Sequence, residues 1–153
     1  MCADLWSFAL STYARPGVEA ACLRLQDQGA DVCLLLCGAW LERRGVALEP
    51  ERIQALQQVA LPWQKNVVEP LRQMRAQWRA MAQQDLPLAA LRERVKSLEL
   101  EAERELLARL EVLAQAWPTE EGDQLGWLEG LAVGTANLDR DALQQLRVAA
   151  TGT

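Results

Sequence analysis

Apolar residues recur at helical spacing through most of this chain, and one stretch is apolar on every face. Between Asp31 and Glu42, the run DVCLLLCGAWLE carries no charge inside its ends. A helix of that kind has to be covered on all sides. The pattern therefore predicts a buried central helix over about 31–44. Asp31 is placed to cap its start. Arg43, Arg44 and Gly45 suit its electronegative end.

Shorter segments precede it. Asp4 can cap a first helix with Leu5, Phe8 and Leu10 as apolar contacts, ending before Pro16. Pro16 suits the first turn of the next helix. There Val18, Ala21, Cys22 and Leu25 are spaced i, i+3, i+4, i+7 and form one stripe. Gly29 is a C-cap candidate.

After the central run, Pro50 opens a short helix through Ile53, Leu56 and Val59, and Pro62 predicts a new start. Val67, Leu71, Met74, Trp78 and Met81 then step by four, three, four and three, as in a coiled-coil seam. Pro70 should kink that helix. A turn at Asp85–Pro87 leads into a second long helix, with Leu91, Val95, Leu98, Ala102, Leu106, Leu110 and Leu113 facing inward. Together these predict an antiparallel αα-hairpin over about 62–84 and 87–117. Folding about residue 85 brings Arg72 near Glu99 and Arg75 near Lys96. One pair attracts and one repels, so the apolar seam should set the register.

Residues 118–126 read as an acidic loop. A short segment follows with Trp127, Leu128, Leu131 and Val133, broken by Gly130 and Gly134. Asp139 can cap a last helix carrying Leu143 and Leu146. No segment alternates as a strand does. The expected fold is all-α: a compact bundle of about six to seven helices around the central one, forming a single domain over residues 1–153.

Composition narrows the function. The net charge is −5, and half of the residues are apolar. That balance does not suit a nucleic-acid surface or a polybasic membrane anchor. The longest apolar run is too short for a membrane span, which needs about 20 residues. The N-terminal MCADLW lacks the charged and apolar regions of a signal peptide. A cytoplasmic location is expected. The chain has no histidine, which removes the usual general base, metal ligand and pH switch. No nucleophile elbow, phosphate loop, dinucleotide fingerprint or metalloprotease motif is present. Glu99, Glu101, Glu103 and Glu105 sit among Arg and Lys and read as a solvated face. The expectation is a protein without enzymatic activity and without a cofactor.

Several residues could still carry a site. Cys33 and Cys37 share a helical face, and Cys22 could approach them. Three thiolates can hold a soft metal, but a helical C-x₃-C lacks the spacing of a structural zinc site. Buried packing is the favoured reading for these thiols. Asp27 and Asp31 flank a short polar turn before the central helix. Trp63 and Trp127 sit beside helix breaks and are the best aromatic interface candidates of six tryptophans. Lys65, Arg72, Arg75 and Arg79 fall on one side of the first hairpin helix. The leading functional expectation is a helical protein–protein interaction or scaffold protein, binding a partner protein or a second copy. The alternative is a small apolar ligand or metal, with a pocket near Trp40, Trp78 and the Asp27–Asp31 turn.

From Leu5 to Leu41 the sequence LWSFALSTYARPGVEAACLRLQDQGADVCLLLCGAWL runs L-W-x-F-A-L, P-G-V, L-Q-D, D-V-x-L-L-L and W-L in order. In this it resembles a proteobacterial family of small helical proteins of unknown function. Members tend to carry Asn where this chain has Cys33. The resemblance implies a bacterial cytoplasmic protein and no particular chemistry.

Overall fold

The computed structural model describes residues 4–121, 124–132 and 139–151. Cys2, Asp123, Val133 and Gly134 lie outside the described residues. The helices are α1 (Leu5–Tyr13), α2 (Val18–Asp27), α3 (Val32–Arg44), α4 (Pro50–Trp63), α5 (Glu69–Gln77), α6 (Arg79–Ala82), α7 (Leu86–Ala114), α8 (Trp127–Leu131) and α9 (Arg140–Thr151). A π-helical turn, Gln64–Val68, joins α4 to α5. Among the described residues, α4 to α6 taken as one interrupted arm leave seven helical units with α1, α2, α3, α7, α8 and α9. The all-α expectation holds. Among the described residues, no helix is long and apolar enough to cross a membrane.

The central helix is α3. Every residue from Cys33 to Glu42 is buried. Asp31 caps it as expected: its Oδ1 accepts from the N–H groups of Cys33 at 3.0 Å and Leu34 at 3.3 Å. α1, α2, α4, α7, α8 and α9 all pack against it. Gly38 lets α8 approach, since a Cβ there would lie 2.8 Å from Leu131 Cδ1. Gly45 ends the helix at φ +73°, and a Cβ would collide with the carbonyl oxygen of Glu120. Only glycine meets both conditions at Gly45. Its own carbonyl accepts from Glu120 N at 2.7 Å, which ties the loop after α7 to the end of α3.

Buried polar groups lock the C-terminal helices onto α3. Glu42 accepts from Arg147 Nε at 2.8 Å and from the backbone N–H of Leu128 at 3.1 Å. Arg147 also pairs with Glu129 at 2.6 Å. One carboxylate thus joins α3, α8 and α9. Trp127 is fully buried and donates from Nε1 to Val46 O at 2.8 Å. Its ring stacks on Trp117 at 5.9 Å. The expectation that Trp127 is an interface residue is therefore corrected. Its indole seals the gap between α8 and the end of α3.

The hairpin differs from expectation in three respects. Its first arm begins at Pro50, because Pro62 lies inside α4 rather than opening a new helix. The break comes after it, as the π turn that precedes Pro70. Pro70 has no N–H to offer the preceding turn, and a π turn takes up that mismatch. The extra residue rotates the face that follows, so Val68 is fully buried while Val67 is only partly covered. The seam consequently fails beyond it. Met74 and Met81 are exposed, and α5 and α6 bury no residue. On α7, Val95, Ala102, Leu106 and Leu110 face inward as expected, but Leu91 and Leu98 are about half exposed. Leu10 of α1 is likewise half exposed.

Candidate functional site

Two features remain once the core is accounted for: an outer groove on the hairpin and a polar junction where the hairpin meets the start of α3.

The groove runs between the arms. Val59, Pro62, Trp63 and Val67 line one side, and Glu105, Arg109 and Val112 the other, around a volume of about 710 Å³. Trp63 is anchored rather than loose. Its Nε1 donates to Ala102 O at 2.9 Å, and the Arg109 guanidinium lies 4.1 Å over its ring. Arg109 is held in turn by Glu105 at 3.1 Å, one turn earlier. The partly covered ring, held at its edge by the hydrogen bond and on one face by Arg109, makes Trp63 the aromatic floor of this groove. Trp63, the aromatic candidate of the first hairpin arm, thus lies in this groove. Residues seven apart lie on one stripe of a helix. Leu91, Leu98, Glu105 and Val112 of α7 are so spaced, so the groove-lining stripe continues toward the hairpin tip.

The junction gathers four of the charged candidates, Asp31, Lys65, Arg72 and Arg75. Arg75 donates to Glu99 Oε1 at 2.6 Å and Arg72 to Glu99 Oε2 at 3.3 Å. Gln26, with its amide oxygen toward Arg72, accepts from Nε and Nη1 at 3.2 Å. The expected Arg72–Glu99 pair is present. Arg75, expected to face Lys96, turns to Glu99, and its carbonyl accepts from Arg92. Asp31 and Arg72 line a common cavity of about 370 Å³, with Gln64, Lys65 and Glu69.

The junction also holds groups that sequence reasoning misread. Glu99 is only 6% exposed and Glu103 is largely covered. Burial, with Glu99 and Asp31 nearby, raises the Glu103 carboxyl to about 7. Arg72 and Arg75 oppose that shift. Burial likewise raises Asp31 to about 6, against the two backbone N–H donors and Arg72. These carboxylates are not a solvated face. The signal that could have found Glu99 was its position four residues after Val95 and three before Ala102, on the inward stripe.

The remaining candidates stand apart. Asp27 is exposed at the end of α2. Arg79 lies beyond the break at Trp78 and lines a small cavity with Arg92 and Glu93. Trp40 is buried under the Arg44 guanidinium, 4.4 Å away. The apolar cavity between α3 and the hairpin, about 430 Å³, is lined instead by Trp6, Leu10, Tyr13, Cys33, Leu36 and Leu100, with Glu103 at one wall. Trp40 and Trp78 are therefore not its aromatic lining.

Cys22, Cys33 and Cys37 are buried as free thiols. Burial raises Cys22 to about 11 and pushes Cys33 and Cys37 higher still, with Asp31 adding to both. Thiols so placed are poor nucleophiles. Among the described residues, no three His, Cys, Asp or Glu side chains gather as a ligand set for a metal ion.

A family model described as "Protein of unknown function (DUF2390)" matches residues 4–110. The chain belongs to this family. The match takes in α1 to most of α7, and with them the groove and the junction; α8 and α9 fall outside it. No curated protein and no solved structure matches the chain.

Proposed function

We propose that the protein is a non-enzymatic interaction module that assembles through the outer face of its hairpin. One observation carries this reading. Two of the hairpin's helices, α5 and α6, bury no residue, yet the hairpin carries exposed Met74, Met81, Leu86, Leu91, Leu98 and Val112. Apolar side chains grouped on a projecting arm are a signature of contact surfaces.

The chain itself supplies a partner of matching chemistry. The α7 stripe of Leu91, Leu98 and Val112 is a ridge, and the space over Trp63 and Val67 is a groove. Two hairpins packed face to face about a two-fold axis would each offer a ridge to the other's groove. Four helices would then share one seam, as in a four-helix bundle. Glu105 and Arg109 sit at the groove with opposite charges and so suit self-pairing.

A photo-crosslinking residue placed singly at Leu98 or Val112 tests this. The expected product has twice the mass of the chain, and the same probe at exposed Glu19 on α2 gives none. Adducts from Glu19 as abundant as those from Leu98, or adducts only to other proteins, would contradict it.

A further inference from the structure

We propose that the cavity between the Gln26–Asp31 turn and the π turn binds a small zwitterion of the amino-acid class, carrying a protonated amine and a carboxylate. The lining itself is balanced: Asp31 and Glu69 are acidic, Lys65 and Arg72 basic, with Gln26 and Gln64 as neutral polar groups. A diamine would meet two cations there, and a dicarboxylate two anions.

The amine side rests on two acceptors. Asp31 Oδ1 is spent on the first turn of α3. Its Oδ2 is buried and has no hydrogen-bond partner among the described residues. Gln64 Oε1 is in the same condition. Buried polar atoms are nearly always paired, and leaving one unpaired destabilises the fold. Both oxygens belong to residues that line this cavity, and a ligand that donates hydrogen bonds would satisfy them, an ammonium being able to donate to both. Because Asp31 is ionic, that bond would be charge-assisted. The carboxylate side rests on two basic residues that line the same cavity, exposed Lys65 and half-buried Arg72. The π turn is what brings Gln64 and Lys65 to this point; π turns recur at functional positions in helices.

Calorimetric titration of the full chain with each standard L-amino acid, a diamine and a dicarboxylate tests the assignment. At least one amino acid should bind saturably and more tightly than either control. Asp31→Asn keeps a capping oxygen but removes the charge. Lys65→Gln changes an exposed side chain. Each should weaken binding by about tenfold or more. If Asp31→Asn no longer melts cooperatively, Lys65→Gln decides alone. No binding by any amino acid, equal binding by a control, or unchanged affinity in every folded variant would overturn the proposal.

Discussion

Arg75 Nε lies 2.6 Å from Glu99 Oε1, and this bond crosses from one arm of the hairpin to the other. Glu99 is nearly covered, while Arg75 and Arg72 keep about a quarter of their side-chain surface. Removing the carboxylate leaves two guanidinium groups facing a covered site without their anion. Glu99→Ala should therefore destabilise the chain by about 2 kcal/mol, below the full effect of breaking a buried pair because the arginines are partly solvated. Denaturant unfolding checks this. A change under about 0.5 kcal/mol, typical of surface substitutions, would show that the apolar contacts alone hold the arms.

Acidity should alter stability in a defined direction. Glu103 and Asp31 have their carboxyls raised, Glu103 to about 7 and Asp31 to about 6. A raised carboxyl binds its proton more tightly when folded than when unfolded. Its unfavourable contribution is absent below the unfolded value, grows as pH rises from the unfolded to the folded value, and is complete above the folded one. Stability should thus increase on going from pH 8 toward pH 5. Asp4, Glu129 and Asp139 are lowered by their hydrogen bonds and act oppositely, losing their contribution at more acid pH. Glu103→Gln should flatten the curve between pH 5 and 8 and raise stability at pH 8 by order 1 kcal/mol. Melting curves across that range read it. A wild-type curve rising steadily to pH 8 would contradict it.

The buried thiols should be slow. In a Cys2→Ser background, a thiol reagent should label Cys22, Cys33 and Cys37 only as fast as the protein opens. Labelling of any of them at the rate of a free thiol would place it at the surface. Cys33→Ala should cost about 1 kcal/mol or more through a lost buried contact.

Trp127→Phe separates packing from hydrogen bonding. The ring volume is largely retained, but Val46 O loses its donor. A cost of about 1–3 kcal/mol is expected for the unpaired buried carbonyl. Trp127→Ala should cost about 3–5 kcal/mol, because a cavity then opens beside Gly38. A neutral result for both would mean that α8 is not docked on α3.

Some of this organisation can be read from residue order and some cannot. α3 declares itself, because ten successive residues without a solvated face admit no other placement, and the Asp31 cap follows from local chemistry. Leu35→Asp should abolish folding for that reason. The Arg72–Glu99 contact follows from folding a hairpin about residue 85. The burial of Glu99 and Glu103 does not follow, because residue type points outward and only the partners across the hairpin make it tolerable. The register of the first arm was hidden for another reason. Pro62 and Pro70 both signal a break, but α4 runs through Pro62 and the one π turn comes before Pro70, which shifts the covered position from Val67 to Val68. Trp127 sits among helix-breaking residues, and nothing local reveals that α3 offers it Val46 O.

Native mass spectrometry of the full chain tests the assembly reading most directly. Wild type at micromolar concentration should be a dimer. The pair Leu98→Glu and Val112→Glu places four charges across the two-fold contact. That variant should be a monomer with unchanged helicity and cooperative melting. A wild-type chain that remains monomeric at this concentration, or a dimer that persists in the folded double variant, would contradict the hairpin face as the site of assembly.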